Sequence, residues 1–306
     1  MTRNARIAAT GMAVPDRVVP NAWFDERLGE NVSDWLESNL TIRERRWLSE
    51  GESVADLVEA AARTILDRAG VAPRDLDLII VATDTPEYVS PSTAVVVQHR
   101  LGATGAGSFD LNTACAGFVT ALDVASKYVR GDENYDRVLV IGAYGMSRYL
   151  DLDDKKTVTL FADAAAGVLL ESTTEDRGFL ASRLHSEGQY HDWMGIYAGG
   201  VKTPVTPEGV ARGDHLLKFV RKFPPEINPD TWTRMITETV EAAGHTVQDI
   251  DLIAITQINI NSIRETMDRL GLPMERTHTV MDRYGYTGSA CIPMVLAEAD
   301  AAGRLS

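Results

Sequence analysis

The chemistry-bearing stretch of this sequence is a cysteine flanked by small residues, in the run from Asn112 to Phe118. Phe109 to Leu111 is short and apolar enough for a buried strand, and apolar residues recur at helical spacing from Ala116 onward. Cys115 is therefore predicted where a strand becomes a helix. Free backbone N–H groups and the helix dipole at such a position favour the nucleophilic thiolate. The alternative is a small buried hydrophobic residue, which is what most free cysteines are.

The run Asn112-Thr113-Ala114-Cys115-Ala116-Gly117-Phe118 resembles the active-site cysteine motif of the β-ketoacyl-acyl carrier protein synthase III family, within the thiolase superfamily. The resemblance extends through nearly the whole chain. It implies an acyltransferase whose cysteine, here Cys115, is acylated by a thioester of coenzyme A or of acyl carrier protein. In the family, a His and an Asn then help to decarboxylate a malonyl partner.

Two further family motifs are present in altered form. The family's His-Gln-Ala-Asn reads Thr256-Gln257-Ile258-Asn259 here, and its Gly-Asn-Thr-Ser-Ala begins Gly285-Tyr286-Thr287. Tyr286 follows Thr256 by thirty residues, which is the family's spacing between the His and the Asn. The resemblance thus places Thr256 and Tyr286 in the two catalytic positions beside the cysteine. It also implies that Asn259, which is kept, helps to orient the pantetheine arm.

These replacements change the expected chemistry. A threonine hydroxyl cannot act as a general base near neutral pH or form an imidazolium that stabilises a thiolate. Thr256 and Tyr286 can still donate hydrogen bonds to a thioester carbonyl. We therefore expect altered or absent decarboxylative condensation, while acyl transfer from Cys115 to an alcohol, amine or thiol survives. The alternative is a weakly active or non-catalytic paralogue that binds acyl thioesters or pairs with an active subunit.

The base that acyl transfer requires is not obvious from the sequence. His185 and His191 lie in an irregular region and could fold over the site. A surface or loop position is the more common one for such histidines.

The resemblance also implies binding residues for coenzyme A. Trp35 matches a family Trp that grips the adenine end, whereas the family's nearby Arg is replaced by Asn39. Arg43, Arg45 and Arg46 remain close by and could bind phosphates as forked donors. A solvated charged turn explains the same residues equally well.

A basic stretch lies in the least regular part of the sequence, between Arg177 and Pro229. It contains Arg212, Lys218, Arg221 and Lys222. In an acidic protein this stretch is either a docking patch for an acidic carrier protein or a solvated helix face. The family builds part of its acyl tunnel from the same region.

The composition of the chain excludes several classes of function. A net charge of −14 over 306 residues argues against binding to nucleic acid or to anionic membranes. Two cysteines give no disulfide framework and suit a reducing cytoplasm. No apolar stretch approaches the roughly 20 residues of a membrane span. No metal-ligand spacing, phosphate loop or dinucleotide fingerprint is present, so no cofactor is expected beyond the coenzyme A or phosphopantetheine thioester that serves as substrate.

An internal repeat organises the elements that must position these residues. Ala69-Gly70 and Asp75 to Ile79 recur 174 residues later as Ala243-Gly244 and Asp249 to Ile253. Strands alternate with helices in each copy, which predicts mostly parallel sheets. Two tandem α/β halves predict a thiolase-like α/β fold, layered αβαβα with a pseudo-two-fold axis.

The repeat also sets the expected domain boundaries and one pairing at the site. The N-terminal half is predicted over residues 1–175 and the C-terminal half over residues 176–306. In the alignment of the two halves, Ala290-Cys291 corresponds to Ala114-Cys115. Cys291 is therefore predicted to be a core residue at the position equivalent to the nucleophile.

Two expectations concern the edges of the molecule. The first copy has strands at Val138–Ala143 and Val158–Leu170 after the nucleophile helix, whereas the second copy ends after the helix over Ala290–Ala302. We therefore expect that the closing strands are absent, either because the sequence is truncated or because the native fold is incomplete. Truncation is favoured, because central strands are costly to lose. Family dimers extend one sheet across a two-fold axis, so a homodimer is expected, with Val138–Ala143 and the Ser90–Pro91 turn near the interface.

Overall fold

The computed structural model describes residues 3–305. Within this range the strands are β1 (Asn4–Ala13), β2 (Val18–Pro20), β3 (Glu44–Arg46), β4 (Leu78–Ala82), β5 (Gly107–Leu111), β6 (Arg137–Gly145), β7 (Asp163–Thr173), β8 (Met194–Gly195) and β9 (Lys218–Phe219). The helices are α1 (Asn21–Leu28), α2 (Ser33–Leu40), α3 (Val54–Ala69), α4 (Thr93–Leu101), α5 (Gly117–Gly131), α6 (Lys155–Val158), α7 (Pro207–Ala211), α8 (Ile227–Ala242), α9 (Ile260–Arg269), α10 (Met281–Tyr284) and α11 (Cys291–Ala301).

The main sheet has five strands in the order β1-β7-β6-β4-β5. Strand β4 runs parallel to both β5 and β6, whereas β7 runs antiparallel to β6 and to β1. The prediction of mostly parallel pairing is therefore wrong for half of this sheet. Between β6 and β7 the chain forms only two short helical segments, at Met146–Tyr149 and in α6, without the long crossover helix that usually joins parallel strands.

Helices cover both faces of this sheet because successive side chains of its buried strands point to opposite sides. On one face, Ile79 and Val81 of β4 pack with α3 and α4. On the other face, Leu78 and Ile80 pack with α5. Every residue of β4 is buried, as the continuous apolar run predicts.

The second half repeats this arrangement with α8, α9 and α11. Gly70 follows α3 and Gly244 follows α8, and both glycines lie in the left-handed region, at φ of 66° and 80°. Ile79 pairs in parallel with Ser108, and Ile253 forms the matching parallel bridge with Thr277. The predicted repeat is thus confirmed, although among the described residues the second half shows only isolated bridges where the first half has strands.

The repeat has a different register at the nucleophile from the one expected. Ala114 and Gly288 both have φ of 47°, and each begins a 3₁₀ turn that leads into a central helix. The counterpart of Cys115 is therefore Ser289, not Cys291. The Ala290-Cys291 pair lies two residues further on, where α11 begins, so the prediction for Cys291 was wrong in position.

The free edge of the main sheet also differs from expectation. Strand β6, which contains the apolar run 138–143, lies between β7 and β4 and cannot extend the sheet. Strand β5 forms one outer edge instead. A two-fold axis that continues this sheet would have to pass beside β5 or β1.

Membrane spans were also sought among the helices of residues 3–305. None of these helices combines the length and the hydropathy needed to cross a bilayer.

Candidate active site

Cys115 lies at the predicted junction between a strand and a helix. Strand β5 ends at Leu111, a 3₁₀ turn covers Ala114–Ala116, and α5 follows. The Asn112 Oδ1 atom accepts a hydrogen bond of 3.0 Å from the Ala114 N–H, which holds Ala114 in its left-handed conformation. Such a conformation costs a non-glycine residue roughly 1–2 kcal/mol. Cys115 itself is half-buried, with its backbone fixed by the turn.

The second half of the chain contacts the junction between β5 and α5 and stabilises it. The Ser289 hydroxyl donates a 2.9 Å hydrogen bond to the carbonyl oxygen of Ala114. A Cβ atom on Gly117 would lie 3.1 Å from both the Ala82 Cβ and the Ser289 Oγ. An alanine at position 117 would therefore press against both halves, which would have to move apart by a few tenths of an ångström.

Tyr286 is fully buried and is fixed by the first half of the chain. Its N–H donates to the carbonyl of Leu160 and its carbonyl accepts from the N–H of Ala162, both at 2.9 Å. Its ring packs against Phe161 and Tyr144, with centroids 5.6 and 6.5 Å away. The side chain therefore has little freedom, and its hydroxyl has a defined position.

A chain of hydroxyl and thiol groups leads away from Cys115. The Tyr286 hydroxyl donates a hydrogen bond to the Cys115 thiol and lies 3.0 Å from the Thr256 Oγ1 atom. That oxygen is in turn 3.2 Å from the Sγ atom of Cys291. The structure thus brings together the three residues that the sequence motifs align. It also places the buried Cys291 beside them, which the sequence did not indicate.

The electrostatic environment of Cys115 is opposite to the one expected. Burial, reinforced by the negative charge of Asp84, raises the pKa of the Cys115 thiol from 9.0 to about 12. The hydrogen bond from Tyr286 lowers this pKa but does not offset the increase. The prediction that the position of Cys115 favours thiolate is therefore wrong for the free protein, because burial favours the neutral thiol.

Asp84 is a site residue that the motif analysis missed. It lies two residues beyond the end of β4, next to the strand that leads to Cys115. Burial raises the pKa of its carboxyl group from 3.8 to about 6. The available signal was a carboxylate directly after a continuous apolar strand, in the run Thr83-Asp84-Thr85.

Asn259 has a structural contact in addition to its predicted role. Its Oδ1 atom accepts a 2.9 Å hydrogen bond from the N–H of Asn261 and so caps α9. The Asn261 side chain donates to the carbonyl of Asn39, which ties the start of α9 to the end of α2. The role of Asn259 toward pantetheine stays a prediction.

The residues predicted to bind coenzyme A divide into exposed and buried groups. Trp35 is 57% exposed on α2, and Arg43 is also exposed, so both can reach a ligand. Arg45 is fully buried and donates to the carbonyls of Val19 and Thr159, so it cannot bind a phosphate as proposed. Burial lowers the pKa of Arg45 from 12.5 to about 9.

The basic stretch is not a helix face. Lys218 lies in the short strand β9, and Arg212 forms an ion pair with Asp214. Arg221 is exposed, with its guanidinium carbon 5.9 Å from the centroid of the Trp193 ring. Arg221 is therefore free to meet an acidic partner, whereas Arg212 is already neutralised.

The two loop histidines contact residues of their own loop. His185 contacts Glu187 and His191 contacts the carbonyl of Gly188, each at 3.2 Å, and both are exposed. These contacts fit the loop positions expected for them. Within residues 3–305, no group of three or more His, Cys, Asp or Glu side chains is arranged to hold a metal ion.

An apolar lining for the site comes from the irregular region between the halves. Met194, Ile196 and Leu217 pack in the same hydrophobic cluster as Cys115 and Tyr286. The N–H of Leu217 donates to the carbonyl of Tyr149 at 2.7 Å, which fixes this segment to the first half. An acyl chain on Cys115 would therefore meet aliphatic side chains.

Comparison with protein families gives two matches. The model for 3-oxoacyl-[acyl-carrier-protein (ACP)] synthase III matches residues 109–188, which include the cysteine junction. The model for the C-terminal part of the same synthase matches residues 240–306, which include Thr256 and Tyr286.

Individual relatives cover almost the entire chain. The β-ketoacyl-[acyl-carrier-protein] synthase III of Symbiobacterium thermophilum is 39% identical over 99% of this chain and 91% of its own. That of Methylococcus capsulatus is 37% identical over 100% of this chain and 92% of its own. Among solved structures, 3-oxoacyl-[acyl-carrier-protein] synthase III from Aquifex aeolicus superposes with a TM-score of 0.88 at 29% identity, over 99% of this chain and 92% of that one. The priming β-ketosynthase of the R1128 polyketide pathway has a TM-score of 0.86 at 26% identity, over 99% and 89% of the two chains.

Proposed function

The chain belongs to the β-ketoacyl-[acyl-carrier-protein] synthase III family and has its thiolase-like fold, and from that premise we propose that it is an acyltransferase working through a Cys115 thioester. An acyl group passes from coenzyme A or acyl carrier protein to the Cys115 sulfur and from there to an acceptor. The observation that carries this proposal is the contact of the Cys115 thiol with Tyr286 and, through it, with Thr256.

Each group at the site has a role in this proposal. The Tyr286 hydroxyl donates to the sulfur, which stabilises the thiolate as it attacks and as it leaves. The Cys115 N–H lies at the helix N-terminus and serves as one donor to the developing oxyanion, a contribution worth about 3 kcal/mol of barrier. Thr256 fixes the direction of the Tyr286 hydroxyl through its 3.0 Å contact.

Decarboxylative condensation is proposed to be weak or absent. In the family's reaction, as the resemblance implies it, an imidazole and an amide side chain act on the malonyl partner. Thr256 and Tyr286 occupy those two positions, and the Tyr286 ring fills a fully buried volume between Tyr144 and Phe161. A hydroxyl cannot replace the imidazole as a base.

One observation favours a second candidate, a paralogue that binds acyl thioesters without turning them over. The Cys115 thiol has a pKa raised to about 12, so little thiolate exists at neutral pH. An active synthase subunit would then supply the chemistry. The half-buried position of Cys115 and the hydrogen bond between its thiol and Tyr286 favour the acyltransferase over this candidate.

The proposal includes partners and a compartment. Trp35 and Arg43 are exposed and free to contact coenzyme A, and Arg221 is free to contact an acidic carrier protein. We include a homodimer joined through the main sheet, and a cytoplasmic location because a free thiol nucleophile needs a reducing compartment.

Intact-mass measurement after exposure to acyl-coenzyme A of several chain lengths tests the acyltransferase proposal. We expect a single acyl adduct on the wild-type protein. The Cys115→Ala variant should carry no adduct. Cys291→Ala is the matched control, since Cys291 belongs to the same hydrophobic cluster but is fully buried, and it should retain the adduct.

Two results would contradict the assignment. An adduct that survives in Cys115→Ala would place the nucleophile elsewhere. The absence of an adduct at every chain length, on protein that melts cooperatively, would favour the binding paralogue.

A further inference from the structure

An acyltransferase at this site needs a proton acceptor that the motif residues do not provide. An incoming alcohol or thiol must lose a proton as it attacks the thioester, whereas an amine loses its proton after it has attacked. Thr256 and Tyr286 are neutral hydroxyl groups, and burial raises the pKa of Tyr286 well above its ordinary value. His185 and His191 contact their own loop. The proton acceptor must therefore come from another element.

Asp84 lies at the same edge of the sheet as Cys115. Strands β4 and β5 are parallel neighbours, with Ala82 paired to Leu111 at their carboxyl ends. One more backbone bond, 3.1 Å from the Thr83 N–H to the Leu111 carbonyl, carries this pairing beyond the strands. Asp84 is the next residue on one strand, and Cys115 follows four residues after Leu111 on the other.

The segment around Asp84 is fixed by hydrogen bonds, whereas one oxygen of the Asp84 carboxylate is without a partner among residues 3–305. The Thr85 Oγ1 accepts a 2.8 Å hydrogen bond from the Gly145 N–H, and the Thr83 Oγ1 accepts one of 3.0 Å from the Thr85 N–H. Among the described residues, the buried Oδ1 atom of Asp84 has no hydrogen-bond partner. Buried polar atoms are almost always hydrogen-bonded, so this oxygen is available to accept a hydrogen bond from a polar group of a substrate.

The charge of Asp84 acts on the groups that surround the thiol. Burial is the larger cause of the raised pKa values of Cys115, Tyr144 and Tyr149, and the charge of Asp84 raises all three further. The other titratable groups that act on Cys115 are Tyr286 and Cys291, both neutral at pH 7 because burial raises their pKa values. With its own pKa raised to about 6, Asp84 is ionised at neutral pH and still binds a proton readily. Asp163 also acts on Tyr144, but its two carboxylate oxygens accept hydrogen bonds from the N–H groups of Leu48 and Ser147.

We propose that the Asp84 carboxylate accepts the proton of the acyl acceptor as the acceptor attacks the Cys115 thioester. This inference rests on the proposed acyltransferase function and names the base of that reaction. The bond from the acceptor heteroatom to the acyl carbon forms and the bond from that carbon to Sγ breaks. The acceptor's proton moves to Asp84 and then to the released Cys115 thiolate, so the free thiol and the carboxylate are restored. Loading from a thioester is the same sequence in reverse.

Transfer from preloaded enzyme to two different nucleophiles tests this role. Wild type and Asp84→Asn are acetylated to completion with acetyl-coenzyme A and freed of excess reagent, and the loss of the adduct is followed by intact mass. Coenzyme A is the acceptor that must lose a thiol proton. Hydroxylamine is the control nucleophile, because it attacks thioesters as a neutral amine without a base.

We expect transfer to coenzyme A to slow in Asp84→Asn by about 10²- to 10⁴-fold, the usual contribution of a general base. Cleavage by hydroxylamine should keep its wild-type rate. In wild type, the rate of transfer should rise with pH through about 6 and then level off, because the carboxylate must be ionised. In Asp84→Asn it should rise steadily with pH, since only coenzyme A thiolate then reacts.

Alkylation by iodoacetamide gives an independent readout. Removal of the Asp84 charge lowers the pKa of Cys115, so the variant should be alkylated faster while it transfers acyl groups more slowly. Asp67→Asn, on the exposed surface of α3, should match wild type in every measurement.

The outcomes separate the two proposals. Wild-type rates of transfer in Asp84→Asn, or an equal slowing with coenzyme A and hydroxylamine, would overturn the role of Asp84 and leave the acyltransferase proposal intact. If wild type forms no adduct on Cys115, the proposed function fails and the role of Asp84 fails with it.

Discussion

At the scale of single residues, the side chains around Cys115 have opposite effects on the protonation state of its thiol. The Tyr286 hydroxyl donates a hydrogen bond that favours thiolate, whereas the Asp84 carboxylate favours the neutral thiol. Thr256 contacts the sulfur only through Tyr286. A site of this kind holds a protonated nucleophile until an acyl thioester arrives, and its chemistry depends on where protons can move.

The replaced motif residues predict a gain of function. Thr256→His and Tyr286→Asn, made together, should raise the rate of condensation between acetyl-coenzyme A and malonyl acyl carrier protein, because an imidazole and a smaller amide replace two hydroxyls. Product formation measures the change, with each single variant as a control. A wild-type rate equal to that of an ordinary synthase would instead mean that hydroxyl donors suffice.

Sequence motifs located the residues of the site better than their environments. The thirty-residue spacing aligned Thr256 with Tyr286, and their oxygens lie 3.0 Å apart. The high pKa of Cys115 was not predictable, because it depends on desolvation by residues distant in sequence. Arg45 was misassigned for the same reason: nothing in its charged neighbourhood shows that its guanidinium is buried against Phe24.

At the scale of elements, close backbone contact joins the two halves of the fold. A Cβ atom on Gly142, in the middle of β6, would lie 2.1 Å from the carbonyl oxygen of Ser289. No rotation of a side chain can relieve that contact, because both partners belong to the backbone. Position 142 of the strand therefore has to be a glycine, because the turn that precedes α11 leaves no room for a Cβ atom.

Gly142→Ala should consequently lower the free energy of unfolding by about 3 kcal/mol or more, at the upper end of the usual cost of overpacking. Gly131→Ala is the control: Gly131 ends α5 with no atom within 4 Å of an added Cβ, and alanine there should stabilise by about 0.5–1 kcal/mol. Urea denaturation of both variants measures the difference. Equal stability of the two would show that the halves separate at little cost.

The positions of helices and strands could be predicted from the sequence where one local signal was strong. The apolar run of β4 and the glycine that ends α3 fixed those elements within two or three residues. The direction of β7 could not be predicted from the sequence, and neither could the equivalence of Ser289 and Cys115 in the two halves. Strand direction depends on how the chain crosses the sheet, and the repeat was aligned on a coincidental Ala-Cys pair instead of on the left-handed turn residue Gly288.

At the scale of the whole molecule, the outer edge of β5 is the place where a second copy can extend the sheet. Gly107 donates its N–H to the carbonyl of Asp77 at 2.9 Å, so alternate residues of β5 face β4 and the N–H of Ser108 faces outward. A second chain that pairs there would continue the sheet across a two-fold axis. The expected homodimer and the domain boundary at residue 175 both remain predictions.

Ser108→Pro should shift the protein from dimer to monomer at micromolar concentration, since proline removes an outward N–H without removing a bond to β4. Ser108→Thr keeps the N–H and should remain dimeric. Light scattering measures the mass of each. A monomeric wild type would refute the dimer, and a dimeric Ser108→Pro would place the interface away from this edge.

The matched turns at Ala114 and Gly288 have a meaning for the history of the chain. A gene that doubled would have produced two sites with the geometry to carry a nucleophile, one per copy. Only the first still holds a thiol. The second holds Ser289, whose hydroxyl is committed to the carbonyl beside Cys115. The copy without the nucleophile thus supports the copy that has it, and loss of the Ser289 hydroxyl would take away the hydrogen bond that it donates beside Cys115.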